Sequence, residues 1–214
     1  ETITYKYDDR KSPTRSKAQN QHDFWAPGIG FAYTFNENVQ LFGGIHKGIS
    51  TPGVQANAVD GTRHEESLSY ELGLRYNKEE FVAEAVVFFN DISNYYDGES
   101  QASGSVKGQT IGDVETYGLE LSAAYDLGAA NDWSFSNPWY AAYTYTHTDI
   151  IHIEDGAFDG FFEDAKEGNE MPYIAENQFT IGTGVHFNNF GTDISASYTG
   201  DMYSGADNDR EIDS

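Results

Sequence analysis

The side chains best suited to chemistry in this sequence gather between residues 147 and 170. His147, Asp149, His152 and Glu154 offer imidazole and carboxylate donors, the types that zinc and other first-row metals accept. On an extended backbone His147 and Asp149 share one face, while His152 and Glu154 share the other. Joint ligation would need a bend in the chain, so solvated loop polarity is the favoured reading and no metal ligand is assigned. An acidic run follows, comprising Glu154, Asp155, Asp159, Glu163, Asp164, Glu167 and Glu170, interleaved with Phe158, Phe161 and Phe162. Asp155-Gly156 and Asp159-Gly160 are turn signals, but the spacing is not that of an EF-hand. The run reads as a solvated loop. The sharper alternative is that it binds divalent cations, or folds over a cationic or metal-bearing ligand.

Other chemistries are excluded more directly. No pair of acids is set apart for acid–base work, and the sequence has neither a Gly-Xaa-Ser-Xaa-Gly elbow nor a phosphate-cradling glycine-rich helix start. The absence of Cys removes thiol catalysis, zinc–thiolate sites and disulfides. A net charge of -23 opposes nucleic acid as a partner. Positive charge collects near the start, at Lys6, Arg10, Lys11, Arg15 and Lys17, while acids crowd the later segments. No enzymatic activity and no cofactor are expected.

The elements that position these residues are announced by a period of two. Ile3, Tyr5 and Tyr7 alternate with Thr2, Thr4 and Lys6. Ile29 to Phe35, Val39 to Ile45, Leu68 to Tyr76, Tyr117 to Tyr125, Trp139 to Tyr145, Phe179 to Phe187 and Ile194 to Tyr198 repeat the pattern. Phe81 to Tyr95 is a long, more uniformly apolar strand whose facing is ambiguous. Nine strands are expected. Their connections alternate in length: Asn36-Glu37-Asn38, Asn77 to Glu80 and Asn188 to Gly191 are short, whereas Asp9 to Phe24, Gly48 to Glu66, Tyr96 to Asp113 and Ile151 to Ala175 are long. Leu127 to Pro138 is intermediate. An up-and-down barrel with tight turns on one rim and long loops on the other requires that alternation.

No run approaches the eighteen or so apolar residues of a membrane-spanning helix. A barrel strand needs only about ten residues, half of them polar. One face of each ribbon is bulky and aromatic, and the other is Gly, Ala, Ser and Thr with a few charges. With 15 Tyr, 14 Phe and 3 Trp, the aromatics recur near strand ends, as the girdles of a lipid-embedded barrel do. The bulky face is therefore expected to meet lipid, and the face bearing Glu71, Arg75, Glu84 and Glu120 to line a wet lumen. The fold class is all-β, an antiparallel transmembrane β-barrel. Nine strands cannot close alone, because an open edge does not survive in lipid, so a fragment of a larger barrel is expected.

Several segments then resemble one family. Gly28 to Phe35 with Val39 to Lys47, leading into Gly48-Ile49-Ser50-Thr51-Pro52-Gly53, is similar to a strand pair of TonB-dependent outer-membrane receptors. Glu65 to Leu74 resembles that family's Pro-Glu, Ser, Tyr-Glu-Leu-Gly strand, with His64 where Pro is usual. Val87 to Ile92, Tyr117 to Leu121 and Tyr143 to Thr146 resemble three further strands. Met171 to Gln178 is similar to a Pro-Tyr-Val-Pro-Xaa-His segment, from which Ala175 and Asn177 depart. The resemblance covers residues 28 to 200 and leans faintly toward the ferric-dicitrate and siderophore branches.

That resemblance implies a larger barrel of about twenty-two strands, with residues 1–214 forming part of the barrel domain and the plug domain absent from this stretch. It implies an outer-membrane importer of a scarce nutrient, such as a ferric-siderophore or ferric-citrate-type complex. The partners would be the TonB system acting through the plug, outer-membrane lipid and lipopolysaccharide. It also points to His46, Lys47, Tyr95 and Tyr96, near strand ends that lead into long loops, as ligand-binding residues. Anionic chelates would favour Arg or Lys there, and Arg10 to Lys17 could supply that charge. The alternatives are a porin or adhesin barrel without TonB coupling, and a secreted β-sandwich binding module with its aromatic face inside.

Overall fold

In a computed structural model of the chain, residues 2–8, 17–50, 64–97, 109–154 and 162–214 are described. Arg10, Lys11, Arg15, the Thr51-Pro52-Gly53 segment, Asp155, Phe158, Asp159 and Phe161 lie outside them. The strands are β1 (Thr2–Asp8), β2 (Lys17–Asp23), β3 (Gly28–Thr34), β4 (Val39–Ser50), β5 (Glu65–Lys78), β6 (Phe81–Asp97), β7 (Gln109–Asp126), β8 (Pro138–Ile153), β9 (Asn177–Phe187), β10 (Phe190–Thr199), β11 (Met202–Tyr203) and β12 (Glu211–Ile212), with one short helix, α1 (Leu127–Ala130). Strands β3 to β10 form one antiparallel meander of eight neighbours in chain order. This is the expected up-and-down topology with one strand fewer in the sheet. The first expected strand, β1, instead pairs with β2 as a separate hairpin. Polar β2, Lys-Ala-Gln-Asn-Gln-His-Asp, carries no apolar alternation and gave no strand signal.

The register fixes the two faces. Tyr33, Leu41 and Leu74 are successive cross-strand partners, as are Leu72 and Val87, Leu121 and Tyr143, and Ile181 and Ala196. These residues are open to the surroundings: Tyr33 is 60% exposed, Leu72 48%, Leu121 40% and Ile181 38%. A contiguous apolar face of this extent is what contact with hydrocarbon requires, and it is not the buried interior of a sandwich. The facing of β6 is also settled. Phe81, Ala83, Ala85, Val87 and Phe89 join the apolar face opposite Tyr125, Ala123, Leu121, Leu119 and Tyr117. Glu84 lies on the other face, opposite Arg75.

The polar face is built on glycine. Phe42, Phe88 and Tyr140 are the direct cross-strand partners of Gly73, Gly118 and Gly182. A Cβ at any of these three glycines would strike the opposite ring. Each aromatic thus lies down over a glycine of the next strand, which protects that backbone and keeps the wet face low. Gly112 serves another purpose. Its φ of 152° and the His152 carbonyl, which an added Cβ would strike, exclude a side chain, and it sits beside the register shift between β7 and β8.

The short-turn rim is closed by side-chain acceptors. Asn36 Oδ1 accepts from the N–H groups of Asn38 and Val39 at 2.9 and 3.0 Å. The two-residue turn after β5 places Glu79 at φ 50°, and the turn after β9 places Asn188 at φ 52°. In the intermediate connection, Asp126 caps α1. Its carboxylate accepts from Gly128, Ala129 and Asn137 N–H at 2.8, 3.1 and 2.9 Å, and from the Ser136 hydroxyl. The Ser136 hydroxyl foremost, then these amides, hold the Asp126 carboxyl down to about 2.

Two outcomes follow from this geometry. In the full-length protein folded into lipid vesicles, Leu72→Arg should lower unfolding stability by about 2–4 kcal/mol, while Ser122→Arg on the opposite face costs well under half as much. Equal losses in denaturant titrations would contradict the facing. At the Asp126 turn, the folded pKa lies below the ordinary 3.8. Its stabilisation is therefore full above that value and is lost as pH falls toward about 2. Hydrogen exchange at residues 127–137, corrected for intrinsic rates, should accelerate across that window and lose the pH dependence in Asp126→Asn.

Candidate functional site

The polar face and the long-loop end of the sheet together form the candidate site. Toward the short-turn end of that face, Arg75 Nε donates to Glu84 Oε2 at 2.6 Å. Its guanidinium also reaches Gln40 Oε1 at 3.5 Å and stacks 5.0 Å above the Phe42 ring. One cation is thereby held by three strands, β4, β5 and β6. Glu71 and Glu120 lie on the same face, opposite Gly44 and Phe88 and opposite Val86 and Thr144 respectively. All four charges expected in the lumen thus share one side.

At the long-loop end the polar face changes character. Ile92, Val114 and Ile150 are cross-strand neighbours on it, and Val114 and Ile150 are almost fully buried. Ile111, Phe162, Met171 and Ala206 complete a small core with them, and Tyr95, Ile153, Ala165 and Ile174 pack around it. Residues 162–176 and the stretch after β10 therefore cover the bore face at that end. Polar contacts fix that cover. Met171 N–H donates to the buried Thr148 hydroxyl at 2.9 Å. Asn169 Nδ2 donates to the Ala206 carbonyl at 2.7 Å, and Glu170 and Asn208 exchange bonds at 2.7 and 3.0 Å.

The four expected ligand residues are divided by this arrangement. His46 faces the bore side, opposite Gly28 and Ser69. Lys47 has the opposite facing and pairs with Glu66 at 2.7 Å. Tyr95 packs its ring 5.9 Å from that of Phe162 within the loop core. Tyr96 donates its N–H to Glu65 at 3.2 Å. His46 and the tyrosines come from β4 and β6, with β5 between them.

The His147 cluster is also rearranged. His147 and Asp149 do share a face, with Nε2 and Oδ2 3.4 Å apart. His152 instead lies against Glu167 at 3.4 Å. The partner the sequence did not single out is Glu176, 3.0 Å from His147 Nδ1, and Glu170 joins them from the acidic run. Burial, and then the neighbouring Glu176 carboxylate, push the Glu170 carboxyl up. A legible clue to the loop core existed, because Ile92, Val114 and Ile150 place aliphatic side chains side by side on the polar face.

Comparison with known proteins agrees with this geometry. Residues 1–214 match the family described as TonB dependent receptor-like, beta-barrel. Among solved structures, the unliganded ferric citrate transporter FecA superposes with a TM-score of 0.69 at 21% identity, over 91% of this chain and 28% of that one. The ferric yersiniabactin uptake receptor FyuA from Yersinia pestis gives 0.70 at 14% identity, over 92% and 29%. The copper transporter OprC gives 0.59 at 13% identity, over 92% and 28%. At these identities the likeness shows the fold, and the chain spans less than a third of each of those chains. A single meander with an exposed apolar face, a charged bore face and a match along its whole length leads to one assignment: the chain belongs to the TonB-dependent receptor β-barrel family.

Proposed function

We propose that this chain is part of the wall and mouth of an outer-membrane receptor that imports a scarce nutrient, a ferric-siderophore or ferric-citrate-type complex, with energy delivered by the TonB system through a plug domain. The observation that carries the reading is the loop core of Ile111, Val114, Ile150, Phe162 and Met171 seated on the bore face. A general porin needs an open mouth. A receptor needs a mouth whose ordered cover can hold a ligand and then yield.

His46 on the bore side, Lys47, Tyr95 and Tyr96 are the proposed ligand contacts around that cover. Two cations of this sector are already engaged, Arg75 by Glu84 and Lys47 by Glu66. Positive charge toward an anionic chelate would then come from Arg10 to Lys17.

The test is growth and uptake in a strain deleted for the full-length gene, supplied with single iron sources. Complementation should restore uptake of one class of ferric complex in TonB-competent cells, and not in cells lacking TonB. Restored passage without TonB would favour a porin. His46→Ala should weaken binding of that complex to the purified receptor roughly tenfold, equivalent to about 1.4 kcal/mol. An unchanged Kd would remove His46 from the site.

A further inference from the structure

The outward side of the long-loop end carries a second donor set, separate from the bore. Along β8, Tyr143, Tyr145 and His147 share the outward facing by alternation, and His147 is the cross-strand partner of Tyr117. The imidazole sits 5.1 Å from the Tyr117 ring, where the apolar face ends and acids begin. One donor atom from each of His147, Glu170 and Glu176 lies within 4.8 Å of the other two. We propose that these three side chains form a binding site for a divalent first-row metal such as zinc.

Three features support the assignment beyond a gathering of acids. The donor set mixes an imidazole with two carboxylates, which suits zinc and its neighbours, whereas calcium and magnesium prefer oxygen alone. The histidine is also held as a ligand is held. Nδ1 faces Glu176 at 3.0 Å, and the other ring nitrogen, Nε2, lies 3.4 Å from Asp149. A metal-bound imidazole commonly donates its second N–H to such a carboxylate, which fixes both tautomer and ring orientation.

The third feature is room. A polar cleft of about 220 Å³ adjoins the set, lined by Glu170, Glu176, Asp201 and Glu211 among others, and it leaves space for water or a fourth ligand. Donors bonded at 2.0–2.2 Å stand roughly 3–4 Å apart, so modest side-chain rotations bring the three into place. A neutral imidazole and two carboxylates balance a dication.

The donors come from three places. His147 is on β8, Glu170 lies in the segment that covers the bore, and Glu176 immediately precedes β9. A metal here clamps the cover to the outer wall without standing in the path of the cargo. Asp149 is a positioning residue for that clamp.

The test is calorimetric titration of ZnCl2 into the chelator-washed, full-length receptor in detergent, a readout that needs no transport. Wild type should bind one zinc equivalent that Glu170→Gln and His147→Ala each lose. Asp149→Asn should weaken that equivalent roughly 10- to 100-fold, and His152→Ala should leave it unchanged. Zinc should raise the Tm of wild type and not of Glu170→Gln, and a large excess of CaCl2 should not displace it. The proposal is overturned if wild type and Glu170→Gln bind the same zinc equivalents with the same affinity, or if calcium displaces zinc at equal concentration. Because Glu170→Gln is nearly isosteric, it keeps the outcome decisive if His147→Ala does not fold.

Discussion

The requirement that every backbone N–H and C=O find a partner away from water governs this structure. In hydrocarbon a strand can meet it only through neighbours on both sides. Within the meander from β3 to β10 every internal strand is paired on both sides. Strands β3 and β10 each have one partner within the sheet, so their free edges call for flanking strands. The solved structures that this chain resembles are longer, and it spans less than a third of each of those chains.

Once the backbone is paired, side chains divide the work. Toward lipid they need bulk and little shape, so Leu, Ile, Tyr and Phe serve at Leu72, Ile181, Tyr33 and Phe179 alike. Toward the bore they must leave space and stay solvated, so glycine and hydroxyl residues dominate. The glycines do more than save volume, because Phe42, Phe88 and Tyr140 lie across them from the adjacent strand. At the long-loop end the same bore face becomes apolar and is covered by inward-folded segments. A rigid wall and a cover held by a few hydrophobic side chains and hydrogen bonds are the two mechanical parts that the proposed function calls for.

Much of this was legible in the sequence because a period of two is a local signal. The alternation of Leu68 to Tyr76 and Tyr117 to Tyr125 gave strand and facing together. The lumen placement of Glu71, Arg75, Glu84 and Glu120 followed from the same parity. Where alternation failed, so did the reading. Phe81 to Tyr95 is apolar on both sides because Val86 and Phe88 pack onto bore-side neighbours, and only the register with β5 and β7 resolves it. β2 is polar throughout, so its pairing with β1 was invisible, and one strand too many was expected in the barrel sheet. The site was less legible than the fold. Glu176 lies 29 residues from His147, and Met171 reaches Thr148 across 23. Contacts of that range are made by loops closing back over strands, which no local pattern encodes.

The bulky side of the sheet looks out at hydrocarbon while the small and charged side lines water. The chain contains no Cys, so single cysteines can report on it directly. Spin labels at positions 72, 121 and 181, and at their neighbours 71, 120 and 180, should be measured in the receptor reconstituted into vesicles. High oxygen and low polar-nickel accessibility are expected at Leu72, Leu121 and Ile181, and the reverse at Glu71, Glu120 and Thr180. Polar-nickel access at the first three positions equal to that at the second three would contradict it.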